Sequence, residues 1–292
     1  MDRNRLYARL FRDLSEIYCR TNGSNLRASL MKANSTAKLC RMWTLPLVLC
    51  LGLLAGIELV RAQESSPVII VDPGHGGSKV AGSLSQRSNS SPNNATTPGG
   101  LKEKDLTLEF SLILKEEIHR EAGKGGPRVG VLLTREDDRN LDFVERAAIA
   151  NRPDTACVVS IHFNAGGGRN ALGSLALIAA EKRNPSYQLD YRFGQGLAEA
   201  CNSGVRSYLP SSKSRGVITD GHLHGGLGSN FFFQMLRHKK LREVPKCFLE
   251  VEFIDNPAVE KALLKEGRPE KFRTIAKPIA TFLVEWARTG GQ

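Results

Sequence analysis

The sequence predicts an α/β domain, built on one open, mostly parallel or mixed β-sheet with helices on both faces. Two observations carry that expectation. After Gln63, short apolar runs of strand character alternate with segments of helical period, the pattern of a sheet whose strands are joined through helices. No internal repeat and no second module appears along the chain.

The first run, Pro67 to Asp72 (PVIIVD), is apolar and ends in Pro-Gly, and so reads as a buried strand. From Gly74 to Gly100 the chain is rich in Gly, Ser, Asn and Pro and forms a long polar loop. Loops of that length inside a domain are functional or disordered, and the part from Ser78 to Pro98 is a candidate gate. Leu101 to His119 reads as a helix, because Leu106, Phe110, Ile113 and Leu114 recur on one face. Glu103 falls on that same face. A strand at Val129 to Thr134, a helix at Asp142 to Asn151 and strands at Cys157 to Phe163 and Ser174 to Ala179 follow. A helix at Tyr191 to Arg206, a strand at Cys247 to Ile254, and helices at Ala258 to Lys265 and Glu270 to Arg288 complete the chain.

The first 62 residues read differently. Trp43 to Ile57 is an uncharged apolar run of fifteen residues, with Lys32, Lys38 and Arg41 before it and Val60-Arg61-Ala62 after it. Basic flank, short apolar core and small residue are the parts of an export signal, cleaved after Ala62. The run is shorter than the ~20 residues of a membrane-spanning helix, which leaves an uncleaved anchor as the second reading. Met31 would make a more usual start for such a signal. The expected organisation is therefore an extension with signal at 1–62 and one folded domain at 63–292, periplasmic or secreted.

The formal charge of +11 divides at the same point, +6 on residues 1–62 and +5 on the remainder. A mildly basic domain suits a weakly anionic polymer. No Lys/Arg-rich stripe interleaved with aromatics appears, which argues against nucleic acid. Beyond Ala62 the cysteines are Cys157, Cys201 and Cys247, without the C-x-x-C spacing of a thiolate metal site. They read as buried small hydrophobes; a Cys157 to Cys247 disulfide is the alternative in an oxidising compartment.

Three polar side chains stand where a packed sheet would not ordinarily put them. His75 follows the first strand in Asp72-Pro-Gly-His-Gly-Gly77, His162 lies near the end of an apolar strand, and Glu103 shares the apolar face of its helix. Ligands of open α/β sheets bind at strand ends. Each residue alone has a plain structural reading: a hydrogen-bonded histidine, or a carboxylate complementing a helix dipole. Together, two imidazoles and a carboxylate with a fourth position open match a catalytic zinc site. Cys247-Phe-Leu-Glu-Val-Glu-Phe253 adds Glu250 and Glu252, which strand alternation places on one face, where mutual repulsion would raise one pKa. The alternative is an edge strand with a wet face. His222 and His224, in a glycine-rich stretch, read as loop residues near a site, with metal binding as the lesser reading.

From about Val68 to the last helix, the chain resembles the zinc-dependent N-acetylmuramoyl-L-alanine amidases of bacterial cell separation and sporulation. VIIVDPGHGG is similar to the opening strand and first histidine of that family, and Leu101-Lys-Glu-Lys-Asp-Leu106 to its glutamate-bearing helix start. Leu133-Thr-Arg135 with Glu145-Arg-Ala-Ala-Ile-Ala-Asn151 resembles the middle segment, Ser160-Ile-His-Phe-Asn-Ala165 the second histidine, and Phe248-Leu-Glu-Val-Glu-Phe-Ile-Asp-Asn-Pro257 the closing strand.

The resemblance implies that His75, Glu103 and His162 bind Zn2+, and that Glu250 is the catalytic acid/base. The reaction it implies is hydrolysis of the amide between N-acetylmuramic acid and L-alanine in peptidoglycan. The family pattern has glycine where this chain has Glu252. Arg135, Arg146 and Asn164 fall in matching blocks, but an ion pair or turn cap accounts for them as well as substrate contact does. Two rival readings accompany this one: an inactive or regulatory peptidoglycan-binding protein on the same fold, and a zinc hydrolase of a different muropeptide amide. The sequence identifies no protein activator.

Overall fold

The strand Val68–Pro73 (β1) forms because four consecutive β-branched residues, Val68 to Val71, favour an extended, packed backbone. Ile69 and Val71 face one core and Ile70 the other, all fully buried, as expected of a strand covered on both faces. These features come from a computed structural model that describes residues 66–221 and 225–291. The expected signal segment, its cleavage point, His222 and His224 lie outside the described residues.

The element order continues through α1 (Glu103–Ala122), β2 (Gly130–Leu133), α2 (Phe143–Ala150), β3 (Thr155–Asn164), β4 (Ser174–Ile178) and α3 (Tyr187–Val205). Then come β5 (Ser214–Thr219), α4 (Asn230–Met235), α5 (Lys239–Glu243), β6 (Lys246–Phe253), a short helical turn Pro257–Val259 continued as a wider turn Glu260–Leu264 where the helix at Ala258 to Lys265 is expected, and α6 (Arg268–Thr289). The six strands lie in one sheet in the order β2-β1-β3-β6-β4-β5. Every neighbouring pair is parallel except β4 with β6, so the sheet is mixed.

On one face α1, α3 and α6 pack over the sheet through residues such as Phe110, Phe193, Leu197, Phe272 and Ile279. On the other, α2 and α4 contribute Ala147, Ala150, Phe231, Phe232 and Met235. Full burial of each large apolar side chain stabilises by about 1.5–3 kcal/mol, enough to make both layers essential. Phe163, at the end of β3, stacks on Phe272 at 5.9 Å and meets Phe110 edge-on at 6.2 Å between centroids. The core is thus pinned at the residue next to His162.

Two helices and one strand exceed the expected elements. β5 reads SRGVIT, with only Val217 and Ile218 apolar together and Gly216 in the left-handed region (φ 66°) where its register slips against β4. An edge strand needs only one covered side, so its pattern is weak. α4 is a six-residue helix whose three adjacent phenylalanines give no helical period, and α5 is shorter still. Among the described residues, no helix is long and apolar enough to cross a membrane.

Candidate metal centre and catalytic cleft

β1 and β3 run side by side and in parallel, so their C-terminal ends deliver His75 and His162 to the same place. The chain leaves β1 through a sharp turn in which His75 adopts a left-handed backbone (φ 61°). For a residue with a Cβ this costs about 1–3 kcal/mol and needs outside support. Two buried arginines supply it. Arg146 donates through Nη2 to the His75 carbonyl and through Nη1 to that of Pro73, both at 2.8 Å. Arg135 donates to the carbonyls of Pro73 at 3.0 Å and Gly74 at 2.8 Å. Burial, with the Arg146 charge beside it, brings the Arg135 guanidinium down to about 10, still protonated at neutral pH.

Arg146 is aimed by its helix. Asp142 and Glu145 form a reciprocal capping box at the start of α2, which fixes the first turn and turns Arg146 toward the sheet. There it pairs with Asp72, both side chains 1% exposed. Asp72 also accepts from Ser160 at 2.6 Å and from Thr134. Burial would raise the Asp72 carboxyl, but Arg146 and the two hydroxyls hold it below its usual range.

The three candidate ligands meet within this frame. His75 Nδ1 lies 2.9 Å from the Ser91 carbonyl, an acceptor only, so Nδ1 carries a proton and the ring turns Nε2 toward Glu103. Nε2 is buried without a hydrogen-bond partner, 3.2 Å from Glu103 Oε2. Glu103 opens α1, is 2% exposed, and is held by amides of Ala95 at 3.1 Å and Phe163 at 3.2 Å. Burial opposes its ionisation, yet the two histidines bring it down to about 2. Its Oε1 lies 3.2 Å from His162 Nδ1. The imidazoles meet edge-on at 4.9 Å between centroids. Gly74 must lack a side chain, because a Cβ there would lie 2.4 Å from the His162 ring.

One donor atom from each of the three residues falls within 4.8 Å of the others. An imidazole nitrogen left buried and unpartnered, facing a carboxylate and a second imidazole, fits a bound metal ion rather than a finished hydrogen-bond network.

Glu250 stands opposite His162 in the parallel register of β6 and β3, and lines the same cleft. Its Oε2 is buried without a partner. Burial pushes its carboxyl up to about 7, with His162 pulling down and the Glu103 charge pushing up. The repelling neighbour is therefore Glu103 and not Glu252, as simple strand alternation had suggested. A bulge places one extra β6 residue between the pairs His162–Glu250 and Asn164–Phe253. Glu252 is fully buried elsewhere, accepting from the amides of Gly173 at 2.5 Å and Phe253 at 3.0 Å, and from Ser212 at 2.5 Å. The wet-face alternative for this strand fails on the same observation.

The cleft has a volume of about 650 Å³, and its lining includes His75, Glu103, His162 and Glu250. A profile of the N-acetylmuramoyl-L-alanine amidase family matches residues 69–283. This chain belongs to that family. It is 36% identical over 100 residues to the N-acetylmuramoyl-L-alanine amidase CwlM of Bacillus licheniformis, covering 34% of this chain and 32% of that one. It is 25% identical over 241 residues to the amidase AmiC of Neisseria meningitidis serogroup B, covering 74% and 53%. The chain thus spans about a third to a half of the length of these curated relatives. The crystal structure of an N-acetylmuramoyl-L-alanine amidase from Clostridium difficile 630 has the same fold, with a TM-score of 0.53 at 21% identity over 77% of this chain and 99% of that one.

Several parts of the site in this amidase family member escape a reading of side-chain types. Ser91 and Ala95 act through backbone atoms of the polar loop, which no side-chain pattern can reveal. Asp72 was read as the end of a strand, yet it anchors Arg146. Arg135 and Arg146 are an ion-pair and turn-capping set, and Asn164 caps the amide of Ala165 at 2.8 Å. Cys157, Cys201 and Cys247 are all free and buried, so the Cys157 to Cys247 disulfide is absent. In the register of β3 and β6, Cys247 faces Val159, two residues beyond Cys157.

Proposed function

We propose that this chain is an exported zinc amidase that hydrolyses the bond between N-acetylmuramic acid and L-alanine in peptidoglycan. The observation that carries the reading is the pairing of Glu250, raised to about 7, with the donor set of His75, Glu103 and His162 in one cleft. A carboxyl near neutrality both accepts and returns a proton, as amide hydrolysis requires.

His75 Nε2, Glu103 and His162 would hold the zinc. When bound, zinc polarises a carbonyl oxygen and makes hydroxide available near neutral pH. Glu250 takes a proton from the attacking water and then delivers it to the L-alanine nitrogen as the amide breaks. Glu103, fixed by two backbone amides, stays ionised throughout. Arg146 and Arg135 keep the His75 turn from relaxing. An inactive binding protein would have no need of a second buried carboxyl beside the donor set, which favours the enzyme reading.

The test is to incubate the purified chain with peptidoglycan, with and without a chelator, and identify products by mass spectrometry. Free stem peptides beginning with L-alanine, lost on chelation and restored by zinc, are expected. Wall binding without such products would sink the proposal.

A further inference from the structure

Leu84 and Leu227 are the two most exposed large apolar side chains among the described residues, at 78% and 73%. Both line the cleft that contains the donor set and Glu250. They sit on separate segments of the chain, and Arg87 joins the two. Its backbone amide donates to the Leu84 carbonyl at 3.0 Å, and its Nη2 donates to the Leu227 carbonyl at 2.9 Å. The link is braced from several sides. Arg87 Nε donates to Asn230 Oδ1 at 3.0 Å, and its guanidinium lies 4.0 Å over the Phe233 ring. Gln234 donates to the carbonyls of Gln86 at 2.8 Å and Arg87 at 3.0 Å. Arg183 adds a second donor to the Leu227 carbonyl at 2.9 Å.

Arg87 holds a left-handed backbone (φ 52°), strain that this set of contacts sustains. The result is a fixed frame that keeps two leucines in water at the edge of a reaction cleft. Apolar side chains held exposed in the lining of a cavity mark a ligand contact.

We propose that Leu84 and Leu227 form an apolar subsite for the peptide arm of the substrate, with Arg87 setting its width. The inference rests on the amidase reading above. The scissile amide has two arms. The glycan arm is dense in hydroxyl groups and suits the amide and hydroxyl side chains that Ser91, Asn94 and Asn164 add to the lining. The peptide arm begins with the methyl side chain of L-alanine and continues as an extended chain. Its methyl groups gain from apolar contact. A cleft of about 650 Å³ also exceeds what the cleaved bond alone would fill.

The test measures kcat/KM of the zinc-loaded full chain on N-acetylmuramoyl-dipeptide and N-acetylmuramoyl-pentapeptide. The wild type is expected to prefer the pentapeptide by about tenfold, the order that covering one or two methyl groups provides. The Leu84→Ser, Leu227→Ser double variant is expected to lose most of that preference. Arg87→Lys is expected to lose it through a raised KM with kcat kept. A double variant with the full preference, or a wild type with none, overturns the subsite. A preference that follows an added sugar unit instead of peptide length assigns the leucines to the glycan arm and overturns it too. A wild type that releases stem peptides from peptidoglycan but cleaves neither compound also overturns the subsite, whereas one that does neither sinks the amidase reading.

Discussion

Nη2 of Arg146 donates to the carbonyl oxygen of His75 at 2.8 Å while Nη1 of the same guanidinium bonds Asp72 Oδ1 at 2.6 Å. One side chain therefore joins the second half of the β1 strand to the strained turn that follows it. If this bond holds the imidazole in place, its loss should appear in metal binding before it appears in folding. Arg146→Lys keeps the charge opposite Asp72 but cannot reach both acceptors with a planar fork. Its zinc affinity, measured by competition with a chromogenic chelator, is expected to fall about 10–100-fold, the usual effect of losing support behind a ligand. An unchanged affinity in a folded variant would show that the turn holds itself.

Asp72 gives a pH dependence whose sign follows from its environment. Its folded carboxyl is held below its usual range by Arg146, Ser160 and Thr134 despite burial. As pH falls toward ~4, the unfolded chain takes up a proton that the folded chain refuses, so stability drops with falling pH. That contribution is fully present above the unfolded pKa. Asp72→Asn should be less stable than wild type at pH 7, by about 3–5 kcal/mol if Arg146 is left uncompensated, and should have a flatter acid limb. Urea midpoints from pH 3 to 7 test this; parallel curves for the two proteins would count against it.

The sheet was legible where burial on both faces forces an apolar run, as in VIIV of β1 or the β3 strand ending in His162. The burial of Glu103 was legible because it shares the helix face of Leu106 and Phe110, where a carboxylate needs a partner. β5 was not, since an edge strand needs no apolar alternation, and Gly216 breaks what little it has. The role of Glu252 was hidden by a bulge, which moves one carboxylate off the face that alternation gives it. The support from Ser91 and Ala95 was hidden because it comes from backbone atoms, which every residue type shares.

The three cysteines of the described domain offer a direct check on its redox state. Burial pushes the Cys201 thiol up to about 12 and those of Cys157 and Cys247 further, and all three are 0% exposed. Thiolate is the reactive form, so the native domain should resist alkylation at these positions and become fully reactive only in denaturant. Peptide mapping after iodoacetamide treatment reads this residue by residue. Modification of Cys157 or Cys247 in the native protein, or a disulfide between them, would contradict the packing of β3 against β6.

Glu250 and Glu252 lie two residues apart and should respond in opposite ways to the same change. Glu250 has an oxygen with no partner and is raised to about 7, whereas Glu252 has both oxygens bonded to Gly173, Phe253 and Ser212. Glu250→Gln should abolish muropeptide cleavage while zinc remains bound. In the metal-free protein it should also relieve a penalty. A carboxyl whose folded pKa is raised binds its proton more tightly when folded, so it costs stability as pH rises from about 4.5 through 7. The metal-free variant is thus expected to match wild type near pH 5 and exceed it at pH 8, by on the order of 2 kcal/mol. Glu252→Gln can keep its carbonyl oxygen toward the Gly173 and Phe253 amides but turns an NH2 toward the Ser212 hydroxyl, which already accepts from Asn202, and should cost about 1 kcal/mol while turnover per folded molecule persists. Cleavage by Glu250→Gln at the wild-type rate, or its loss only in Glu252→Gln, would reverse the assignment of the two carboxylates.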